Sequence, residues 1–292
     1  MDGTAVTFIG FGALEIGRNW GLGDEVETQR PEAAQAGAVL NAVLDLGINL
    51  IDTARAYHRS EERIGRFIAG RREEYVLASK CGEHSDEPQT YYDFSYDAIA
   101  ASIDKSLQLL QTEAIDLMQI HFGPDPEGVL DRGETVAAMK DAQRAGKVRF
   151  LGASIDGRLA TRCIESGDFD VMQLGYSLIA QGNAGNIKLA QEKGMGVLIR
   201  SGLAAGALTS RVIPHLGGET RFPKEKVTQL LDLVGGDGNA LTALALTFLY
   251  QNDGISSVLV GTKRIEHLRA NLDLLEREID PDVMARAIEI GR

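Results

Sequence analysis

Cysteine is scarce in this chain. Cys81 and Cys163 are the only two among 292 residues, without close pairing or histidine neighbours in zinc spacing. That argues against a disulfide framework and suits a reducing compartment. Both read as small buried residues, with a role for Cys81 beside Lys80 as the alternative. Basic residues are also in deficit. Thirty Lys and Arg face 42 Asp and Glu, a net charge of -12. Such a surface repels phosphate backbones, and no local basic patch offsets it, so nucleic acid is not an expected partner. No apolar run approaches the roughly 18 residues that span a bilayer, and the opening MDGTAV lacks the basic and apolar regions of a leader. The expectation is a cytoplasmic protein with no membrane partner. Histidine is sparse as well. His58, His84, His121, His215 and His267 are scattered, with no His-x-His after the first strand, so no metal site is expected.

Alternating order runs through the chain. Apolar segments of strand length fall at 7–12, 49–53, 75–80, 115–121, 148–154, 170–176, 196–201 and 257–261. Amphipathic stretches separate them, clearest at 33–46 and 96–110. In the latter, Ile99, Ile103, Leu107 and Leu110 share one helix face and Ser95 stands at the N-cap position. Gly47, Gly70, Gly146, Gly167 and Gly194 each follow a helical stretch, where a left-handed residue closes a helix. Runs such as VLIRS and SSVLVG suit strands covered on both faces. Eight strand-helix units predict a single-domain (β/α)8 TIM barrel over 1–292. An open doubly wound sheet is the alternative, but GFGALEIG (10–17) places Ala13 and Leu14 poorly for a GxGxxG fingerprint. Two long connections, 82–94 and 202–223, follow strands on the carboxyl side and are expected to be loops serving substrate or cofactor.

Polar residues recur where the strands end. Asp52 and Tyr57, then Lys80, then His121 fall at the ends of three successive strands, where a barrel does its chemistry. A tyrosine can deliver a proton, an adjacent lysine can lower the phenol's pKa, an aspartate can hold that lysine, and a histidine can bond a carbonyl oxygen. Taken singly, each is as easily a packing, capping or loop residue. Trp20 and Phe122 are candidate substrate walls, with core packing the alternative.

INLIDTARAYHRSEERIG (48–65) resembles the aldo-keto reductase signature, in which a strand ends in Asp-Thr-Ala and a tyrosine precedes Ser-Glu. LASK, DLMQIH, GKVRFLGAS, the Gln173 strand and VGTKRIEHLRANL (260–272) follow in family order across essentially the whole chain. The resemblance implies a tetrad of Asp52, Tyr57, Lys80 and His121. It also implies a nicotinamide dinucleotide, NADP (as NADPH) with NAD possible, extended across the barrel mouth. The contacts to it would come from Gly12, Ala13, Asp52, Ser154, Gln173, Arg200, Ser201, Gly202, Leu203, Gly261, Thr262, Lys263, Arg264, His267 and Asn271. Part of this set also follows from the residues alone, because phosphates favour the helix N-terminus that follows Gly261-Thr262. Lys263 and Arg264 are placed there for a 2'-phosphate.

Four positions depart from the family pattern: Ile155 stands for an asparagine, Arg200 for a stacking aromatic, His58 for a glycine and Val260 for a proline. The expected activity is reduction of an aldehyde or ketone by hydride transfer, with Tyr57 as general acid. Alternatives are an NAD-dependent sugar or alcohol dehydrogenase, a cofactor-binding accessory subunit, and an aldolase using Lys80, which a charged lysine beside Asp52 disfavours. No heptad seam is visible, so a monomer or weak homodimer is expected.

Overall fold

A computed structural model of the chain describes residues 4–217 and 222–292. Its strands in chain order are β1 (Ile9–Gly12), β2 (Leu50–Asp52), β3 (Val76–Cys81), β4 (Glu83–Asp86), β5 (Gln89–Tyr92), β6 (Ile115–His121), β7 (Val148–Ser154), β8 (Val171–Gly175), β9 (Gly196–Arg200) and β10 (Ser257–Val260). Eight of them close a barrel in the order β1-β10-β9-β8-β7-β6-β3-β2, and every pair is parallel. The predicted (β/α)8 barrel is therefore the fold. All eight predicted strands form, several of them a residue or two shorter at an end.

Strand alternation divides the apolar residues between two cores. Leu50, Ala78, Leu117, Val171 and Leu198 pack together as one cluster. Their neighbours Ile51, Leu77, Met118, Met172 and Ile199 belong to the larger cluster shared with the helices. The helices Ala33–Asp45 and Tyr96–Leu110 form where the periodicity placed them. Ser95 occupies the N-cap position without capping, because its hydroxyl donates to Asp93 Oδ1 at 2.7 Å. Gly47, Gly146, Gly167 and Gly194 have φ from 70° to 78°. Gly70 does not end a helix. There the helix Ser60–Ile68 runs on into the 3-10 turn Ala69–Glu74, so the chain keeps winding past the glycine.

The 82–94 connection corrects the expected loop. β4 and β5 form an antiparallel hairpin in which Glu83 pairs with Tyr92 and His84 with Tyr91. Tyr91 stacks on His84 with ring centroids 5.0 Å apart, a cross-strand contact that steadies a short polar ribbon. The 202–223 connection winds through two 3-10 turns, Ala204–Gly206 and Ser210–His215. Its Gly218 lies outside the described residues. Among the described residues no helix is long and apolar enough to cross a membrane.

Candidate active site

The loop after β2 is built to present Tyr57. Thr53 donates to Ser60 Oγ at 2.8 Å, and Ser60 donates to Ala13 O at 2.9 Å. Glu61, fully buried, accepts from Ser79 Oγ at 2.6 Å and pairs with Arg55 at 3.3 Å. The Ser-Glu that follows the tyrosine thus anchors its loop to β3. Close packing also requires glycine opposite, since a Cβ on Gly17 would lie 2.1 Å from Tyr57 O. His58, the residue standing for a glycine, takes the left-handed conformation at φ 48°. Its Nδ1 lies 2.8 Å from Ser85 Oγ of the hairpin, a contact that holds a backbone geometry L-residues avoid.

Beneath Tyr57 lies a buried polar tier. Lys80 is 1% exposed. Its ammonium makes a short bond to Asp52 Oδ2, donates to Thr53 O at 2.9 Å and lies 3.4 Å from the Tyr57 hydroxyl. Asp52 Oδ1 accepts from Gln119 Nε2 and from Gln173 Nε2, each at 2.9 Å. Gln173 Nε2 also reaches Gln119 Oε1 at 3.1 Å, and Ser154 Oγ lies 3.3 Å from Gln173 Oε1. Gln119 is a functional candidate that motif reading missed. It shares the inward face of β6 with His121 two residues on, and that alternation was the available signal. Gly152 leaves it room, for a Cβ there would meet Gln119 Cγ at 2.9 Å.

Burial is the largest influence on Tyr57, although part of its ring faces the cavity. It holds the phenol above its ordinary value, against the pull of the Lys80 charge. The lysine therefore opposes burial without overcoming it, which corrects the expectation of a net lowering. Burial pushes Lys80 down, yet Asp52 and then Tyr57 outweigh it and hold the ammonium above its ordinary value. Both groups bind their protons more tightly in the folded chain than in the unfolded one. Their contribution to stability is complete below the unfolded values, 10.0 for tyrosine and 10.5 for lysine, and is lost as pH rises through the folded ones. The chain should therefore lose stability relative to a Tyr57→Phe variant above about pH 10, as unfolded tyrosine ionises. Parallel melting curves from pH 8 to 11 check this, and a constant difference would contradict it.

A cavity of about 590 Å³ opens above this tier at the carboxyl ends of the strands. Asp52, Tyr57 and His121 face it, with Ser154 and Gln173. Trp20, 43% exposed, and Phe122 line it too, and Phe122 stacks with Phe94 at 6.5 Å. Of the residues assigned to the cofactor, Gly12, Arg200, Ser201, Gly202, Leu203, Gly261, Thr262, His267 and Asn271 also line the cavity. Lys80 lies behind the wall. Ala13 does too, where it splices β1 to β2 through Ala13 N to Asp52 O at 2.8 Å. Lys263 and Arg264 are not part of the wall. The Lys263 ammonium donates to Gln29 O at 2.6 Å and to Glu27 O. Arg200 pairs with Asp156 at the rim. Cys81 is buried, its thiol pushed up by burial to about 12, so it is a packing residue.

Four further charged residues at the cavity, Arg18 among them, were not legible in the sequence. Glu83 comes from the hairpin, and Glu15 and Arg211 stand near Lys263. Arg211 crosses the mouth to donate to Leu22 O at 2.6 Å. Glu15 is held above its ordinary value by burial, with Arg211 and Lys263 opposing.

The pattern of the Aldo/keto reductase family matches residues 8–292. The L-galactose dehydrogenase of Arabidopsis thaliana is 30% identical over 92% of this chain and 84% of its own. An NADH-specific methylglyoxal reductase of Escherichia coli is 27% identical over 83% of this chain and 85% of its own. The holo form of an aldo-keto reductase from Bacillus halodurans superposes with a TM-score of 0.81 at 26% identity, covering 99% of this chain and 94% of that one.

Proposed function

Since the chain belongs to the aldo/keto reductase family, we propose that it reduces an aldehyde or ketone to the alcohol with a nicotinamide cofactor, and that Tyr57 donates the proton. One observation carries the reading: the Tyr57 hydroxyl stands at the wall of the cavity with a buried ammonium 3.4 Å behind it. When bound, the reduced cofactor supplies the hydride to the carbonyl carbon. The Tyr57 O–H bond breaks as its proton passes to the developing alkoxide, and the phenolate left behind faces the Lys80 charge. Asp52 keeps that lysine in place, and solvent returns the proton. His121, facing the same cavity, orients the carbonyl oxygen.

The residues present suit the cofactor. Gly261 gives a bare backbone wall, where a Cβ would come within 3.3 Å of Gly12 O and 3.4 Å of Glu15 Oε1. The Ser154-Gln173 pair offers polar atoms to a carboxamide. A cavity of this size falls within the usual range of small-molecule sites. Arg211, Lys263, Arg264 and His267 gather near one end and favour a 2'-phosphate, hence NADPH. A second reading, NADH, has its own support in Glu15, a carboxyl beside Lys263 that would repel that phosphate. The oxidative direction remains open to the same residues, since Tyr57 as phenolate would accept the proton it otherwise gives.

Steady-state turnover of a panel of aldehydes and ketones with NADPH and NADH, and of aldoses with NADP and NAD, tests the proposal. No turnover in either direction, with cofactor bound, would replace the enzyme by an accessory subunit. Lys263→Ala is expected to lower kcat/KM for NADPH about tenfold while moving that for NADH little, the loss of one charge-assisted phosphate contact. An unmoved ratio would take Lys263 out of the cofactor site.

A further inference from the structure

Glu83 opens the hairpin and is 7% exposed. Its Oε2 lies 2.9 Å from His121 Nδ1. That ring nitrogen is sealed from solvent and has no aligned hydrogen bond among the described residues. The carboxylate is thus the acceptor that the fold holds against it, close but slightly off line. Other groups face the pair. Arg18 Nη1 is 4.0 Å from Glu83 Oε1, and the Thr90 hydroxyl and the Tyr92 phenol also address Glu83. The Tyr57 ring meets His121 edge-on with centroids 6.0 Å apart. Burial pushes the Glu83 carboxyl up, but His121, then Thr90 and Arg18, outweigh it and keep it below the ordinary 4.5, so it is an anion at neutral pH.

A carboxylate can only accept a hydrogen bond, whereas a neutral imidazole carries one N–H and one lone pair. A carboxylate at Nδ1 therefore decides which nitrogen keeps the proton. We propose that Glu83 is a positioning residue that fixes the tautomer of His121, keeping Nδ1 protonated. Nε2, the nitrogen left to the cavity, then carries only a lone pair in the neutral ring and donates to the substrate oxygen only in the doubly protonated ring. This deepens the carbonyl-reductase reading and rests on it. Both directions pass through one transition state, so the same doubly protonated ring serves reduction and oxidation, with Glu83 balancing its charge.

Nitrogen NMR of the histidine-labelled chain reads the tautomer without substrate or turnover, with His121→Gln identifying the resonances. The parent should show a protonated Nδ1. E83Q, whose amide oxygen can still accept, should keep it, and E83L should lose it. A parent ring protonated at Nε2 alone, or an E83L ring unchanged from the parent, overturns the proposal. Kinetics supply the second arm. E83L should lower the reductive kcat on the order of 10- to 100-fold, as loss of an imidazole's orienting partner does elsewhere, with the cofactor KM unmoved. E83Q keeps the position and removes the charge that balances the doubly protonated ring, so it should lower kcat in both directions while leaving the tautomer unchanged. An E83Q enzyme as active as the parent in both directions would overturn the charge assignment. A parent that turns over no carbonyl defeats the reductase reading, while the tautomer stands or falls on the NMR alone.

Discussion

Replacing Tyr57 by phenylalanine is expected to cut the rate of carbonyl reduction by about 10² to 10⁴ while leaving cofactor affinity nearly unchanged. The size follows from the role: the variant keeps the ring, its packing and its edge-on contact with His121, and loses only the oxygen that carries the proton. The loss should fall on kcat and on kcat/KM together, since the interaction removed exists in the transition state and not in binding. Fluorescence titration with the reduced cofactor and single-turnover rates separate the two quantities. A variant that retains most of the parent's single-turnover rate would remove Tyr57 from the chemistry. One that binds cofactor far more weakly would show instead that the hydroxyl holds the dinucleotide.

Lys80→Met should produce a comparable loss of activity and, unlike Tyr57→Phe, a large loss of stability. Lys80 is the principal opponent of the burial that holds the Tyr57 proton. Without it the phenol becomes a weaker acid, so the reductive rate falls by about 10² to 10⁴ and the basic limb of its pH profile moves to higher pH. The stability cost has a separate origin. Asp52 would be left buried with two amide donors and no cation, and breaking such a pair costs about 3–5 kcal/mol. Combining Lys80→Met with Asp52→Asn removes the stranded charge, so the double variant should regain stability and stay inactive. Denaturant melts of the single and double variants test this. A double variant no more stable than the single one would show that the lysine contributes by packing and not by charge.

Much of the site was legible because barrel chemistry follows strand ends. Asp52, Lys80 and His121 could be read from apolar runs that stop at a polar residue, and Tyr57 from its place in the loop that follows. The residues that escaped notice belong to contacts distant in sequence. Glu83 acts on His121 through a hairpin whose short polar strands carry little alternation, so nothing local announced a ribbon. Arg211 reaches Leu22 across the mouth, a contact made by loop conformation and not by any pattern. Gln119 was readable in principle, two residues before His121 on the same face, but a buried amide looks like packing until its partners are known. The net direction of the Tyr57 shift was beyond the sequence too, because a list of neighbours does not say whether burial or the lysine charge is the stronger. His58 shows the same limit in the backbone. A histidine where glycine is expected suggests a changed loop, whereas the chain keeps the left-handed turn and ties it to Ser85.

The buried polar tier draws one residue from each of five adjacent strands: Asp52 from β2, Lys80 from β3, Gln119 from β6, Ser154 from β7 and Gln173 from β8. No assembly that lacks β8 can satisfy it. A chain folded through β6 would already hold the Asp52-Lys80 pair but would lack Gln173, which the last bond to Asp52 Oδ1 requires, and a one-residue slip of any of these strands would turn its polar side chain to the outer face. The tier thus works as a check on the register of these five strands. Under the proposed chemistry, competence cannot precede the correct pairing of these five strands, whereas β9, β10 and β1 close the barrel without adding to the tier.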